Sequence, residues 1–313
     1  MQTVLITGGT GLVGKSLTNH LINKGYKLII LTRSLRGKIN SNNISYAAWD
    51  IQQQTIDIKA VQSADIIIHL TGAGVVDKRW TDKYRKEILE SRTMSSKLII
   101  DTLKQHSNRV KTIVSSSAIG WYGPDKKNNR PFIETDEHAD DFLGQTCFAW
   151  EESIDVASSM NIRVCKLRTG IVLSKEGGAL AEFKKPIRFG IAAILGSGKQ
   201  MISWIHIDDL CRMFIYAIEN QTMNGSYNAV SATPVSNKAL TLVLAEKLRG
   251  KSFIPIHVPA FVLKLVMGNS SIEVLKSTTV SNKKIMAAGF TFLFPSVEYS
   301  IAELTGKKIT GQT

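Results

Sequence analysis

A chain of 313 residues is long enough to bury a full hydrophobic core, and its length suggests one large domain with a smaller lobe. Hydrophobic residues at 43% and charged residues at 21% are the composition of a globular protein and exclude wholesale disorder. The net charge of +13 would suit nucleic acid, but basic groups such as Lys83-Tyr84-Arg85-Lys86 or Lys126, Lys127 and Arg130 are scattered and no nucleic-acid motif accompanies them, so they are read as solvated surface that also attracts an anionic cofactor.

From the first residues onward, short apolar β-branched runs alternate with amphipathic stretches, the pattern of an α/β fold with a parallel sheet and crossover helices. Strands are predicted at Thr3–Thr7, Lys27–Arg33, Ile44–Asp50, Asp65–Leu70, Lys111–Ser116 and Arg163–Leu173. Their almost purely apolar character fits strands covered on both faces. Helices are predicted at Gly11–Lys24, Thr81–Gln105 and Asp141–Met160, with a further one near Ala179–Phe189 between the loops Lys175–Gly178 and Leu195–Gln200. Trp204–Asn220 reads as a strand end and a helix. Beyond Ser236 the pattern is mainly helical, apart from a strand at Phe253–Ile256, with Pro255 and Pro259 breaking the run. The expected division is 1–235 for the large domain, including part of a substrate lobe near 174–203, and 236–313 for a small C-terminal domain.

The three cysteines, Cys147, Cys165 and Cys211, are far apart and form no CxxC pair, so neither a disulfide framework nor a metal site is expected. No basic, apolar leader opens the chain, and no apolar run approaches the roughly 18 residues of a membrane span. A cytoplasmic protein without membrane contact is the expectation, and no oligomeric state is read from the sequence.

The strongest motif is Thr7-Gly8-Gly9-Thr10-Gly11-Leu12-Val13-Gly14, placed between a strand and an amphipathic helix. In that context a glycine loop holds a dinucleotide's pyrophosphate. Gly8 would allow the tight turn, Gly11 the close approach of backbone to phosphate, and Gly14 close packing of helix on sheet, while the helix N-terminus offers free N–H groups. A carboxylate ending the second strand would bind a ribose 2′-hydroxyl. Here the residues are Leu31-Thr32-Arg33-Ser34, with Arg36 nearby, and a guanidinium suits a 2′-phosphate, which points to NADP(H). Asp50 could accept from the adenine amino group or cap the sheet edge.

The GxxGxxG spacing is typical of short-chain dehydrogenase/reductases. The chain also resembles their extended members in His69-Leu70-Thr71-Gly72-Ala73, Ser115-Ser116-Ser117-Ala118, Leu167-Arg168-Thr169-Gly170-Ile171-Val172-Leu173 and Trp204-Ile205-His206-Ile207-Asp208-Asp209. The run from Gly177 to Asp209, Ala149-Trp150-Glu151-Glu152-Ser153 and the stretch Val280 to Phe290 resemble one atypical subgroup over essentially the whole chain, the NAD(P)-dependent epimerase family proteins with their own C-terminal domain. The resemblance implies a Rossmann doubly wound parallel sheet with a small, mainly helical C-terminal lobe, and NADP as cofactor. It places Gly8, Gly11, Leu12 and Val13 at the phosphates, Thr32 and Arg33 at the adenosine phosphate, and Leu70 and Thr71 at the fourth-strand turn. Glu87 and Arg92, about one and a half turns apart on their helix, are implied near the cofactor, as are Ser115 and Val172.

Chemistry in this superfamily uses a Tyr as acid/base, a Lys four residues later, and a Ser that polarises the substrate oxygen. Ser117, or its neighbour Ser116, supplies the Ser. The Tyr and Lys are missing: counted back from Glu151 their positions hold Leu143 and Cys147, and a shift by one gives Gly144 and Phe148. Tyr122, in a turn that could overhang the nicotinamide, is the replacement considered first, with Cys147 and His206 behind it. The expectation is therefore an NADP(H)-dependent epimerase or oxidoreductase acting on a small polar substrate without the usual Tyr–Lys pair. The alternative is a catalytically silent NADPH-binding sensor.

Overall fold

The computed structural model describes residues 1–126 and 130–307; Lys127, in one basic group above, lies outside them. In chain order the first half reads β1 (Thr3–Thr7), α1 (Leu12–Asn23), β2 (Lys27–Thr32), β3 (Ile44–Asp50), β4 (Thr55–Ile56), α2 (Ile58–Gln62), β5 (Ile66–His69), α3 (Asp82–Gln105), β6 (Thr112–Ala118) and α4 (Phe142–Asp155). The second half continues with β7 (Arg163–Thr169), β8 (Ile171–Ser174), β9 (Gly177–Gly178), α5 (Ala179–Arg188), β10 (Ile191–Leu195), β11 (Met201–Ile202), β12 (Trp204–His206) and α6 (Ile207–Glu219). It closes with β13 (Gly225–Ala229), β14 (Val235–Ser236), α7 (Asn237–Arg249), β15 (Ile254–Val258), α8 (Ala260–Met267), α9 (Ile272–Leu275), α10 (Lys283–Ala287) and α11 (Val297–Thr305).

The main sheet runs β13-β7-β6-β5-β1-β2-β3-β4, parallel throughout except for β4, which returns antiparallel to β3. The chain order reverses between β1 and β5, so a crevice opens there at the carboxyl ends of the strands, where α/β sheets bind ligands. Val4, Leu5 and Ile6 are all fully buried, Val4 and Ile6 in one core and Leu5 in another, because helices cover both faces of the sheet. The core holding Val4 and Ile6 also includes Leu240 and Leu244 of α7, Ile285 of α10 and Ile301 of α11, so the helical C-terminal region packs into the same apolar interior. Caps set the helix starts that frame the crevice. Thr81 accepts the Tyr84 N–H to begin α3, and Asp141 accepts the Gly144 N–H to begin α4.

Three expectations need correction. The strand predicted over Arg163–Leu173 breaks at Gly170: β7 stays in the main sheet, whereas β8 leaves it to pair with β12 and β9. A Cβ at Gly170 would lie 2.5 Å from the Ser203 carbonyl oxygen, so the break needs a residue without a side chain. The helix predicted to Met160 ends at Asp155 and tightens into a 3-10 turn over Val156–Met160. Six strands were not foreseen: the two-residue β4, β9, β11 and β14, with β9 inside the expected loop Lys175–Gly178, and the longer β10 and β13. β13 forms the sheet edge from the half-polar run Gly-Ser-Tyr-Asn-Ala, and β10 pairs in parallel with β15.

Candidate functional site

The glycine loop closes the turn between β1 and α1. Gly8 adopts φ +68°, and a Cβ there would sit 2.9 Å from the Leu70 carbonyl carbon, so the loop lies directly against the end of β5. At Gly14 a Cβ would meet the Gly8 oxygen at 2.4 Å and the Gly9 Cα at 2.5 Å, which is how the helix comes so close to the loop. Gly11 is less crowded, with 3.3 Å to the Gly8 oxygen, and its part is that of N-cap: α1 starts with no side-chain cap and no acidic residue in its first turn. Its leading N–H groups therefore face the crevice as an uncompensated positive end, which suits a pyrophosphate. Leu12, the first helical residue, approaches the β9 hairpin, where a Cβ on Gly178 would lie 2.9 Å from Leu12 Cδ2 and 3.8 Å from the Val172 oxygen. Val13 is half-buried and packs on the core.

Around that loop the fold gathers residues that are far apart in the chain. The Leu70 N–H donates to the Thr7 carbonyl and to Thr7 Oγ1, both at 3.2 Å. The Thr71 hydroxyl oxygen next to it is buried with no hydrogen-bond partner, a polar atom whose partner a bound ligand would supply. Behind this turn lies Arg92, buried on α3. Its Nη1 donates to the Ile88 carbonyl at 2.8 Å and its guanidinium lies 5.0 Å from the Trp150 ring centre. A Cβ on Gly72 would be 2.9 Å from Arg92 Cζ, so Gly72 is what lets this cation reach the crevice side of the turn. Glu87 points to solvent and pairs with Lys78 at 3.5 Å, apart from Arg92.

At the end of β2, Thr32 Oγ1 donates to the Ser34 carbonyl at 3.0 Å. Arg33 is exposed, without a carboxylate partner among the described residues. Asp50 takes the capping role: its Oδ1 accepts the N–H groups of Gln52 and Gln53 at 2.8 and 3.0 Å, turning the chain from β3 into β4. His69, on β5, is wholly buried between the Thr7 hydroxyl at 2.7 Å and the hydroxyls of Ser95 and Ser96 at 3.3 and 3.2 Å. Burial, reinforced by the nearby Arg92 charge, pushes its pKa down to about 3, so it stays neutral and props the cofactor-side turn. Ser115, paired in register with His69 on β6, donates to the Ser116 carbonyl at 3.0 Å and is fully buried.

The catalytic candidates fare differently. Ser117 Oγ donates to Glu151 Oε1 at 2.6 Å. Both carboxylate oxygens of Glu151 accept from Arg168, Nε at 2.8 Å and Nη2 at 3.0 Å, and Ser226 adds a further bond at 2.8 Å. Burial alone would raise the Glu151 carboxyl, but the Arg168 hydrogen bonds and charge, helped by Ser117 and Lys166, outweigh it and hold the group below its ordinary value. Tyr122 belongs to the same network. Its hydroxyl donates to Asn228 Oδ1 at 2.7 Å and accepts from Arg168 Nη1 at 3.0 Å, while its ring stacks on Phe132. Tyr122 therefore does not overhang the crevice: it is 2% exposed, and burial pushes its phenol up to about 12. Ser117, expected to polarise the substrate oxygen, and Tyr122, expected as the acid/base group, instead take structural places in this buried network.

The remaining candidates are also engaged. Leu143 and Cys147 are buried on α4 beside Gly120, and burial raises the Cys147 thiol to about 12 although Arg92 counteracts it. His206 caps α6: its Nδ1 accepts the Asp208 N–H at 3.1 Å, its Nε2 donates to Glu303 at 3.1 Å, and its ring stacks on Phe294 at 3.7 Å. A feature not foreseen from the sequence is a cleft of about 470 Å³ beside Leu143. Its lining includes Trp80, Arg85, Phe142, Lys264, Asn269 and Glu273. Its only trace in the sequence is Arg85 within the basic group Lys83–Lys86. No group of three or more His, Cys, Asp or Glu side chains that could hold a metal ion occurs among the described residues. No helix among them is long and apolar enough to cross a membrane.

Comparisons with known proteins agree with this architecture. The family model described as NAD dependent epimerase/dehydratase family matches residues 4–230, and a domain of unknown function, DUF1731, matches 258–304. An epimerase family protein of Staphylococcus aureus (strain MRSA252) is 32% identical over 315 residues, covering 98% of this chain and 100% of its own. Another, of Staphylococcus haemolyticus, is 32% identical and covers 97% and 99%. Among solved structures, the human epimerase family protein SDR39U1 with NADPH superposes at a TM-score of 0.84 with 25% identity, over 97% of this chain and 99% of that one. A nucleoside-diphosphate sugar epimerase from Corynebacterium glutamicum has a TM-score of 0.77 and 29% identity, covering 99% of this chain and 59% of its own. A glycine cradle at the switch point of a parallel sheet, matched by a family model over most of the chain and by relatives along nearly all of it, places the chain in the NAD dependent epimerase/dehydratase family, as an atypical short-chain dehydrogenase/reductase with a DUF1731 C-terminal region.

Proposed function

We propose that the chain binds NADP(H) across the carboxyl ends of β1, β2 and β5 and acts as an epimerase- or oxidoreductase-type enzyme on a small polar substrate held in the cleft beside Leu143. The observation that carries this reading is the cradle itself: Gly8 and Gly14 admit no side chain, and α1 opens with bare N–H groups. The 2′-phosphate preference rests on exposed Arg33 at the end of β2, where no carboxylate would repel that group. The human relative solved with NADPH supports the same choice. When bound, a nicotinamide dinucleotide supplies reversible hydride transfer. The chain's own part is to hold the pyrophosphate at the α1 N-terminus, to offer the unpartnered Thr71 hydroxyl, and to place the Arg92 cation behind Gly72. Leu143 and Cys147, where a phenol and an ammonium would serve as proton donor and acidifier, move no proton at neutral pH.

A second reading, a silent NADPH-binding sensor, draws on the engagement of Ser117 and Tyr122 in the Glu151–Arg168 network. Nicotinamide fluorescence titration separates the cofactors. NADPH is expected to bind at least about tenfold more tightly than NADH, and Arg33→Ser to remove most of that difference; tighter binding of NADH would overturn the Arg33 argument. Oxidation of bound NADPH across a panel of carbonyl compounds and nucleotide sugars then decides between the readings. Turnover by any member favours the enzyme, and none across the panel favours the sensor.

A further inference from the structure

The cleft beside Leu143 holds a cation with no counter-charge among the described residues. Arg85, on the first turn of α3, packs against a pair of aromatic rings, with its guanidinium 5.5 Å from the Trp80 ring centre and 5.2 Å from that of Phe142. The rings themselves pack edge to face at 5.1 Å. Arg85 Nε is buried with no hydrogen-bond partner, and among the described residues no carboxylate pairs with this side chain. The two acidic residues lining the cleft are otherwise engaged. Glu273 pairs with the buried Lys276 at 2.7 Å, and Asp141 lies 3.9 Å from the same ammonium while its Oδ1 caps α4. Lys264, exposed on α8, adds a further positive charge to the lining.

We infer that this cleft receives the anionic group of the substrate, a phosphate or a carboxylate, with the Arg85 guanidinium as its receptor and Lys264 as the second cation. The inference rests on the proposed function, whose substrate class it names. A planar guanidinium packed against two rings loses little freedom on binding and presents its donors in the fork that matches a two-oxygen anion. The apolar walls, Trp80, Phe142, Leu143, Ile272 and Leu275, lower the local dielectric, so an anion gains more there than at the surface. A donor left dry in such a place is unfavourable until an acceptor arrives. The volume of about 470 Å³ suits a small metabolite rather than a polymer.

The test is calorimetric titration of the full chain, saturated with NADPH so that the glycine loop is filled, with inorganic pyrophosphate and separately with malonate. Binding of the first alone assigns a phosphate, of the second alone a carboxylate, and of both a general anion site. Arg85→Gln is expected to weaken binding by about tenfold or more, and Lys264→Gln by a few-fold, with NADPH affinity unchanged. Because Lys264 is exposed, its variant keeps the fold and carries the test even where loss of Arg85 disturbs the ring pair. Absence of heat from both anions in the unsubstituted protein, or an affinity in both variants equal to that of the unsubstituted protein, would overturn the assignment. Failure of the cofactor reading would show separately, as no nicotinamide fluorescence change, and the Arg85-dependent malonate titration can be read without NADPH.

Discussion

At the scale of single residues, the side chains nearest the crevice are held by burial rather than left free to titrate. His69 is the clearest case. Its folded pKa of about 3 lies below the ordinary 6.5, so below that value the unfolded chain takes up a proton that the folded one refuses. Stability is therefore expected to fall as the pH drops through 6.5 and to go on falling toward 3, with up to about 1.4 kcal/mol per pH unit due to this one residue. Denaturant unfolding at a series of pH values should show that slope, and His69→Gln should flatten it relative to the unsubstituted protein; parallel slopes would mean that His69 is not the group responsible. Glu151 works on a lower range. Its carboxyl is held below the ordinary 4.5, so its contribution is present above that value and is lost as the pH falls through the lower folded one. These residues were visible in the sequence, but their roles were not. A Ser at a strand end and a Tyr in a turn have the same local signature whether they face a ligand or, as here, a buried Arg–Glu pair.

At the scale of elements, the decisive event is the departure of the chain from the main sheet after β7. An uninterrupted apolar run over Arg163–Leu173 has no period that could reveal the split, since both halves are buried strands. The break at Gly170 is imposed from outside, by the Ser203 carbonyl and the Val230 side chain that crowd its Cα. Gly170→Ala would set a Cβ 2.5 Å from that oxygen and 2.8 Å from Val230 Cγ1. Neither neighbour is the end of a flexible chain, so a destabilisation of about 1–3 kcal/mol is expected, read as a lower denaturant midpoint at unchanged slope. The displaced β8 has a functional consequence, because it carries Val172 to the β9 hairpin that abuts Leu12 at the mouth of the glycine loop. β13 escaped notice for the opposite reason: Gly225-Ser226-Tyr227-Asn228-Ala229 is too polar to read as a sheet strand, yet its Asn228 and Ser226 are needed inside to satisfy Tyr122 and Glu151.

At the scale of the whole molecule, the C-terminal helices and the sheet share one interior. Leu240, Leu244, Ile285 and Ile301 lie in the same core as Val4, Ile6 and Phe214, and the Asp209 carboxylate accepts the N–H groups of Leu293 and Phe294 at 2.8 Å each. Arg79, from the loop before α3, also donates to the last carbonyls of α8, Leu265 and Val266. A fragment ending at residue 235 would expose that apolar surface, and it is expected to lose cooperative unfolding and to bind a hydrophobic dye; a fragment with a sharp thermal transition would show that the two parts fold independently. The sequence alone determined what depends on local pattern: the strand–glycine–helix unit, the order of parallel strands and helices, Arg33 in place of a carboxylate, and the absence of a phenol and an ammonium at positions 143 and 147. Only the tertiary structure decided what depends on neighbours distant in the chain. It paired Ser117 and Tyr122 with Glu151 and Arg168, set Arg92 behind Gly72, and left Arg85 against two rings with no carboxylate partner among the described residues, because hydrogen-bond satisfaction and burial are properties of the packed molecule and not of any window of residues.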